Sequence, residues 1–463
     1  MDILLTHGYF LYEDPHELKI LKPYPPLGIL YNSAYLKRAG YSVGVFDTSF
    51  SSMPEFESHV ERERPPVVGI YTNLMTKFNV LKMIATCKRL GAIVILGGPE
   101  PGSYAEEYLD RGADVVVVGE GEAALEELLP RLAQAGPHKL DGVLGIAYRR
   151  EDGAIARALP RPYLPDLDAL PDPDRDAIDI GRYVETWRTH HGMGSASLIC
   201  ARGCPYHCEW CSHAVYGHTH RRRSPQRVAE EVAFLLARYK PDQLWYADDV
   251  FTIKHAWFFE YADELKRRGI RIPFECISRA DRMNDEVIDR LVEMGCHRLW
   301  IGSESGSQNV LDEMRRGVKV EQVQAMTHAL KRRGIQTGMF IMLGYEGEEL
   351  ADLEATVDHL KKSAPDVFLT TVAYPIKGTA YYQKVEDRVL ARADWDQRTD
   401  RQLTVKGRHS TRFYSFATRW MVNAVALHRE RTNGVHVARM AKAAANVALG
   451  RLGMMMTARE VEA

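Results

Sequence analysis

The chain has 463 residues, 45% hydrophobic and 26% charged, which is enough for two or three domains with ordinary cores and too apolar for a disordered chain. Net charge is only −2, yet residues 401–463 hold eleven Lys or Arg against three Asp or Glu, which leaves the remainder acidic by ten. No apolar run reaches the length of a transmembrane helix and no basic, apolar leader follows Met1, and seven cysteines, an odd number, argue against a disulfide framework, so a cytoplasmic protein is expected.

In chain order, residues 1–135 alternate short apolar runs with helical patterns. Segments 3–5, 43–46, 67–71, 93–96 and 115–118 read as buried strands, and five of them with helices between predict a doubly wound, Rossmann-like parallel sheet. Ligands on such sheets sit at the carboxyl ends of the strands. Those ends carry Thr6, then Thr72 and Asn73, then Gly97-Gly98-Pro99-Glu100, then Gly119-Glu120-Gly121-Glu122. Glycine-rich turns let a backbone approach a flat ligand closely, but tight strand-to-helix turns need glycine in any fold.

Residues 136–191 lose periodicity and are rich in Pro and Asp, as expected of a linker; within it, 143–148 and 154–158, split by Asp152-Gly153, predict one hairpin. Residues 192–395 then show six apolar strands, at 196–200, 244–247, 274–277, 299–301, 338–343 and 367–372, each followed by a helical stretch, which predicts a partial (β/α)6 barrel. Their carboxyl ends carry Cys204, Cys208 and Cys211, then Asp248-Asp249, Ser278-Arg279 and Glu304.

Three thiolates at C-x3-C-x2-C spacing can hold a four-iron cluster and leave one iron open for chemistry. A structural zinc would need a fourth ligand, from Cys200, His207 or His213, and usually a second CxxC pair, which does not follow here. Cys87, Cys276 and Cys296 lie in regular patterns and read as core residues. Arg221-Arg222-Arg223 reads as a solvated helix start, with a docking site for an acidic reductant or a nucleic-acid contact as further readings. The last segment, 396–463, predicts a helical basic extension: one helix over 412–431 and another over 435–452, followed by Met454-Met455-Met456. The first is expected to cap the barrel, and contact with an anionic membrane is left open for the second.

The run Cys204-Pro-Tyr-His-Cys208-Glu-Trp210-Cys211 resembles the radical S-adenosylmethionine (SAM) superfamily. The resemblance implies a 4Fe-4S cluster on the three cysteines, SAM chelated at the open iron, and Trp210 shielding the cluster near the adenine. It further implies Arg279 pairing with the SAM carboxylate and Ser278 beside it. Asp248 and Asp249, in a DD-x-F stretch, would contact the SAM amino group. Glu304, in Gly-Ser-Glu-Ser-Gly, would accept hydrogen bonds from the ribose or the amino group, or else tie barrel loops together.

Pro25-Pro26-Leu27-Gly28, Val45-Phe46-Asp47, Gly97-Gly98-Pro99 and Asp114 to Glu122 are similar to the cobalamin-binding domain of B12-dependent members. That implies cobalamin on the first domain, with residues 71–76 beneath the corrin and Leu74 or Met75 facing cobalt. No D-x-H-x-x-G occurs there, so no histidine is offered to the metal. The implied activity is methylation of an unactivated carbon of a small or lipid-like molecule, with electrons from ferredoxin or flavodoxin and no nucleic-acid partner. Alternatives are cyclisation or rearrangement without methyl transfer, a tRNA methylthiotransferase lacking its further cysteines, or a non-catalytic cofactor-binding scaffold.

Overall fold

The computed structural model describes residues 1–433 and 436–463; Gly434 and Val435, where the second tail helix was expected to begin, lie outside the described residues. The chain forms two compact units, one of residues 1–205, 212–245 and 393–399, the other of 206–211, 246–392 and 400–463.

In the first unit, strands β1 (Ile3–His7), β2 (Val43–Phe46), β3 (Val67–Tyr71), β4 (Ile93–Gly97) and β5 (Val115–Val117) are parallel, in the order β2-β1-β3-β4-β5. The helices between them are α1 (Leu27–Arg38), α2 (Met53–Glu63), α3 (Lys77–Arg89) and α4 (Ala105–Asp110), with α5 (Glu122–Ala135) after β5. Side chains alternate along a strand, so Leu4, Val68, Ile70, Val94 and Val116 enter one core while Ile3, Leu5, Val67, Ile95 and Val115 enter the other. Both faces are covered, which is why these strands read as unbroken apolar runs. The winding reverses between β1 and β3, so the ligand crevice of such a sheet opens at their carboxyl ends.

The hairpin expected in the linker exists as β6 (Ile146–Arg149) and β7 (Ile155–Arg157), but it is not isolated. β6 pairs antiparallel with β5 and extends the sheet to seven strands. An unpaired β5 would have left a row of open backbone groups. The unit continues through α6 (Ile180–His191), β8 (Ser195–Leu198) and α7 (Pro225–Tyr239), and its boundary falls within β9 (Gln243–Tyr246).

In the second unit, α8 (His255–Arg267), β10 (Phe274–Ser278), α9 (Asp285–Met294), β11 (Cys296–Glu304), α10 (Val320–Arg332), β12 (Gln336–Leu343), α11 (Leu350–Ser363) and β13 (Val367–Val372) alternate. β10 to β13 are parallel neighbours in sequence order. With β8 and β9 they complete the six strands of the expected partial barrel. β11 spans nine residues rather than the three apolar ones that mark it in the sequence, since a strand flanked on both sides keeps its ladder through polar residues.

The tail is helical: α12 (Thr411–Asn433) and α13 (Val437–Thr457). Phe413, Trp420 and Val425 are buried, as the pattern predicts. The two helices meet where α13 has glycine: a Cβ on Gly450 would lie 2.7 Å from Trp420, and one on Gly453 2.3 Å from Phe416. Among the described residues, no helix is long and apolar enough to cross a membrane.

Candidate active site

In the second unit, the segment Tyr206 to Cys211 is held by its backbone. Glu209 N–H donates to the Met314 carbonyl (3.1 Å), Tyr381 N–H donates to the Glu209 carbonyl (2.8 Å), and Cys211 N–H closes a turn onto Cys208 (3.1 Å). Tyr345 donates its hydroxyl to the Glu209 carboxylate (3.1 Å). Trp210 packs against the buried cluster that includes Met314, Met342, Tyr345 and Tyr381, so the aromatic residue anchors the loop in the core.

Two guanidinium groups reach the Cys208 sulfur, from Arg316 at 3.5 Å and from Arg279 at 3.9 Å. Arg279 is not a surface residue: it is 2% exposed and lies over the Tyr206 ring at 3.6 Å. Its Nε donates to Asp281 (2.8 Å) and its Nη2 to the Arg316 carbonyl (2.7 Å). Much of the fork expected to meet a carboxylate is therefore engaged within the protein. Arg316 donates to the Gly302 carbonyl through Nε and Nη2, at 3.2 and 2.8 Å. A Cβ on Gly302 would stand 2.3 Å from the Arg316 Nη2, so a side chain there would displace this guanidinium.

Glu304 ends β11 in the left-handed region (φ 63°), at a register shift against β12. Burial raises its carboxyl to about 7, against the pull of Arg316 and Arg279. Its turn is locked from α11, where His359 meets Ser303 Oγ (2.9 Å) and Thr356 accepts from Gly306 N–H (3.0 Å). Ser278 is buried in a hydroxyl pair with Thr252 (2.5 Å). At the end of β9, Asp248 is buried and Asp249, though its surface reaches water, has protein packed around its carboxyl; that partial desolvation and then the Asp248 charge push the Asp249 carboxyl up.

In the first unit, the glycine turns close as the sequence suggests. Gly98 has φ 110°, and a Cβ on it would lie 2.3 Å from the Thr72 carbonyl, while Thr72 N–H donates to Gly97 (2.7 Å). Pro99 follows in this turn, and partly buried Leu74 and 47% exposed Met75 lie beyond β3. Tyr71 and Val118, at the ends of β3 and β5, are also exposed, so this rim offers apolar surface.

Several side chains expected to face a ligand here are instead committed to the protein, because buried polar groups must find partners. Thr6 and Thr72 are fully buried, with hydroxyls donated to Phe46 and Ile70 carbonyls. Asn73 Oδ1 accepts the N–H groups of Met75 and Thr76 at the start of α3. Glu100 accepts from Tyr108 (2.8 Å) and faces Lys77 (3.8 Å). Glu120 and Glu122 both bind Arg202, at 2.8 and 2.5 Å, and Arg221 also reaches Glu120. Their neighbours Gly119 and Gly121 leave that turn without side chains, and a Cβ on Gly121 would meet Asn32 at 2.9 Å.

The triple-arginine run is not a solvated helix start: Arg221 and Arg222 form a short antiparallel strand against Ala201 and Arg202, Arg223 is 4% exposed and paired with buried Glu231, and Arg221 donates to Glu120 and the Leu164 carbonyl. Arg221 thus answers a carboxylate far away in sequence, as Arg223 does through Asp172 (2.7 Å), which no local pattern reveals. Arg202 sits two residues before Cys204, joined through Gly203, which has φ 83° and where a Cβ would lie 2.5 Å from the Thr219 carbonyl. Cys204 is buried, and none of the seven cysteines forms a disulfide. Cys87, Cys200, Cys276 and Cys296 are core residues. Among the described residues no three His, Cys, Asp or Glu side chains converge as a metal-binding group.

Residues 198–360 match the radical SAM superfamily model, and residues 18–129 match the B12-binding domain model. The chain belongs to the B12-dependent radical SAM superfamily. It is similar to an uncharacterized methyltransferase of Pyrococcus horikoshii, with 27% identity over 84% of each chain. It is also similar to the anaerobic magnesium-protoporphyrin IX monomethyl ester cyclase of Rubrivivax gelatinosus, 26% identical over 79% of this chain and 67% of that protein. The solved cobalamin-dependent SAM radical enzyme OxsB shares the fold over 98% of this chain and 72% of its own, with a TM-score of 0.74 and 17% identity. This radical SAM enzyme keeps the superfamily's cysteine loop, and two cations at the Cys208 sulfur suit the negative charge of a thiolate-bound cluster. Arg316 has no sequence signal beyond a charged Arg315-Arg316-Gly317 turn.

Proposed function

We propose that this radical SAM enzyme is a cobalamin-dependent methyltransferase that acts on an unactivated carbon of a small molecule. The observation that carries the reading is the buried pair Arg279 and Arg316 on Cys208, at the carboxyl ends of the strands where a barrel places its chemistry. When bound, the cluster and SAM supply a 5'-deoxyadenosyl radical and cobalamin supplies the methyl group.

Cys204, Cys208 and Cys211 hold the cluster, and Arg279 and Arg316 balance its charge. Trp210 keeps water from it. Asp248 and Asp249 take the SAM amino group, and Glu304 and the Ser278 region face the ribose and carboxylate. Around the corrin the backbone serves more than the side chains: the turns Gly97-Gly98-Pro99 and Gly119 to Gly121 approach it, and Leu74 and Met75 pack beneath it. The enzyme works in the cytoplasm with a ferredoxin or flavodoxin, which docks elsewhere than on Arg221 and Arg223, since those two guanidinium groups are paired inside the protein. The Rubrivivax relative supports cyclisation as the second reading.

The test is anaerobic purification with iron, sulfide and hydroxocobalamin, followed by dithionite and chromatography of SAM products. Bound corrin with both 5'-deoxyadenosine and S-adenosylhomocysteine is expected. 5'-Deoxyadenosine alone moves the assignment to the cyclase-type reading, and absence of both products leaves a scaffold.

A further inference from the structure

Helix α13 presents an apolar face that is left uncovered among the described residues. Val437, Leu449, Leu452, Met455 and Met456 are 74, 49, 50, 69 and 73% exposed. At helical spacing they fall on one side, with exposed Ala441, Ala444, Ala445 and Ala448 filling the same stripe. The opposite side is the one that packs: Ala443, Gly450, Gly453, Met454 and Thr457 are buried, and Gly450 and Gly453 lie against Trp420 and Phe416 of α12. The helix is thus fixed by one face and leaves five large apolar side chains in water, an arrangement that marks an interaction surface.

Its charge selects the partner. Residues 437–457 contain Arg439, Lys442 and Arg451 and no Asp or Glu. Lys442 lies seven residues before Leu449, two turns away on the edge of the stripe. Arg451, on the other edge, stacks on Trp420 (4.1 Å) and pairs with Glu354 (2.6 Å). The nearby carboxylates are answered: Glu460 by Arg412 (2.9 Å), Glu462 by Arg392 (2.6 Å), and Glu430 faces Arg439 at 3.8 Å.

We infer that α13 docks this enzyme on an anionic phospholipid surface, lying in the interface with its apolar stripe among the acyl chains and Lys442 at the headgroups. The helix lies on the bilayer rather than crossing it, because its other face is already packed on α12. A second copy of the chain fits less well, since two such faces brought together would juxtapose the same basic edges.

The experiment is flotation of the full-length protein with vesicles of phosphatidylcholine and phosphatidylglycerol in equal parts, against phosphatidylcholine alone. Binding is expected to the anionic vesicles and to fall as salt rises. The double variant Leu452→Glu, Met456→Glu is expected to stay in the soluble fraction with unchanged circular dichroism. Lys442→Gln, at an exposed position, is expected to weaken binding by about fivefold. The proposal is overturned if the protein floats with neither vesicle, or if sedimentation without lipid shows a dimer that Leu452→Glu dissociates.

Discussion

Arg202 joins two buried carboxylates, Glu120, which Arg221 also reaches, and Glu122, and its guanidinium lies 5.3 Å from the rings of Tyr31 and Tyr216. Removing one partner of such a pair leaves an uncompensated charge in low dielectric, at a cost on the order of 3–5 kcal/mol. Arg202→Met is therefore expected to lower the urea midpoint sharply. A midpoint within error of the parent would show that the three groups are not a unit. Arg316 acts at the other unit's cysteine. Taking a positive charge from beside Cys208 disfavours adding an electron, so Arg316→Gln is expected to load iron normally while the cluster's reduction potential falls by tens of millivolts. A potentiometric titration followed by electron paramagnetic resonance reads this, and an unshifted potential refutes it.

The turn that ends β11 depends on α11 through His359. Burial pushes this imidazole down to about 4 from 6.5, so the folded protein keeps it neutral where the unfolded chain would bind a proton. Its contribution is complete above about pH 6.5 and is lost as pH falls through 4, on the order of 3 kcal/mol in all. Chemical denaturation of the cofactor-free protein across that window should show stability rising with pH, and His359→Gln should flatten the slope; an equal slope in both proteins would remove His359 as its source. Elements of this kind were readable early. Segments 43–46, 67–71 and 367–372 match observed strands residue for residue, because each is an apolar, β-branched run bounded by turn residues. β11 was not, since Cys296, His297 and Arg298 are strand only by pairing with neighbours.

At the scale of the molecule, the glycine turns of the corrin-type sheet belong to the first unit, and the guanidinium groups at Cys208 belong to the second. Replacing Cys204, Cys208 and Cys211 by serine is therefore expected to abolish iron loading and leave hydroxocobalamin binding intact, read by iron analysis and optical titration. Loss of corrin binding in that variant would tie the two cofactors together. By itself the sequence determined the two kinds of sheet, the cysteine loop and the helical tail, because strand periodicity, ligand spacing and helical amphipathicity are local and survive in a linear pattern. Only the tertiary structure decided which polar residues are spent on the protein itself. The glutamates of the GEGE turn meet Arg202 and Arg221, and Arg223 meets Asp172, each across a long stretch of chain, and burial obliges such charges to meet. Arg316 became visible at Cys208, and the uncovered face of α13 became visible as a face, for the same reason: which side of an element meets water is settled by what packs on the other side.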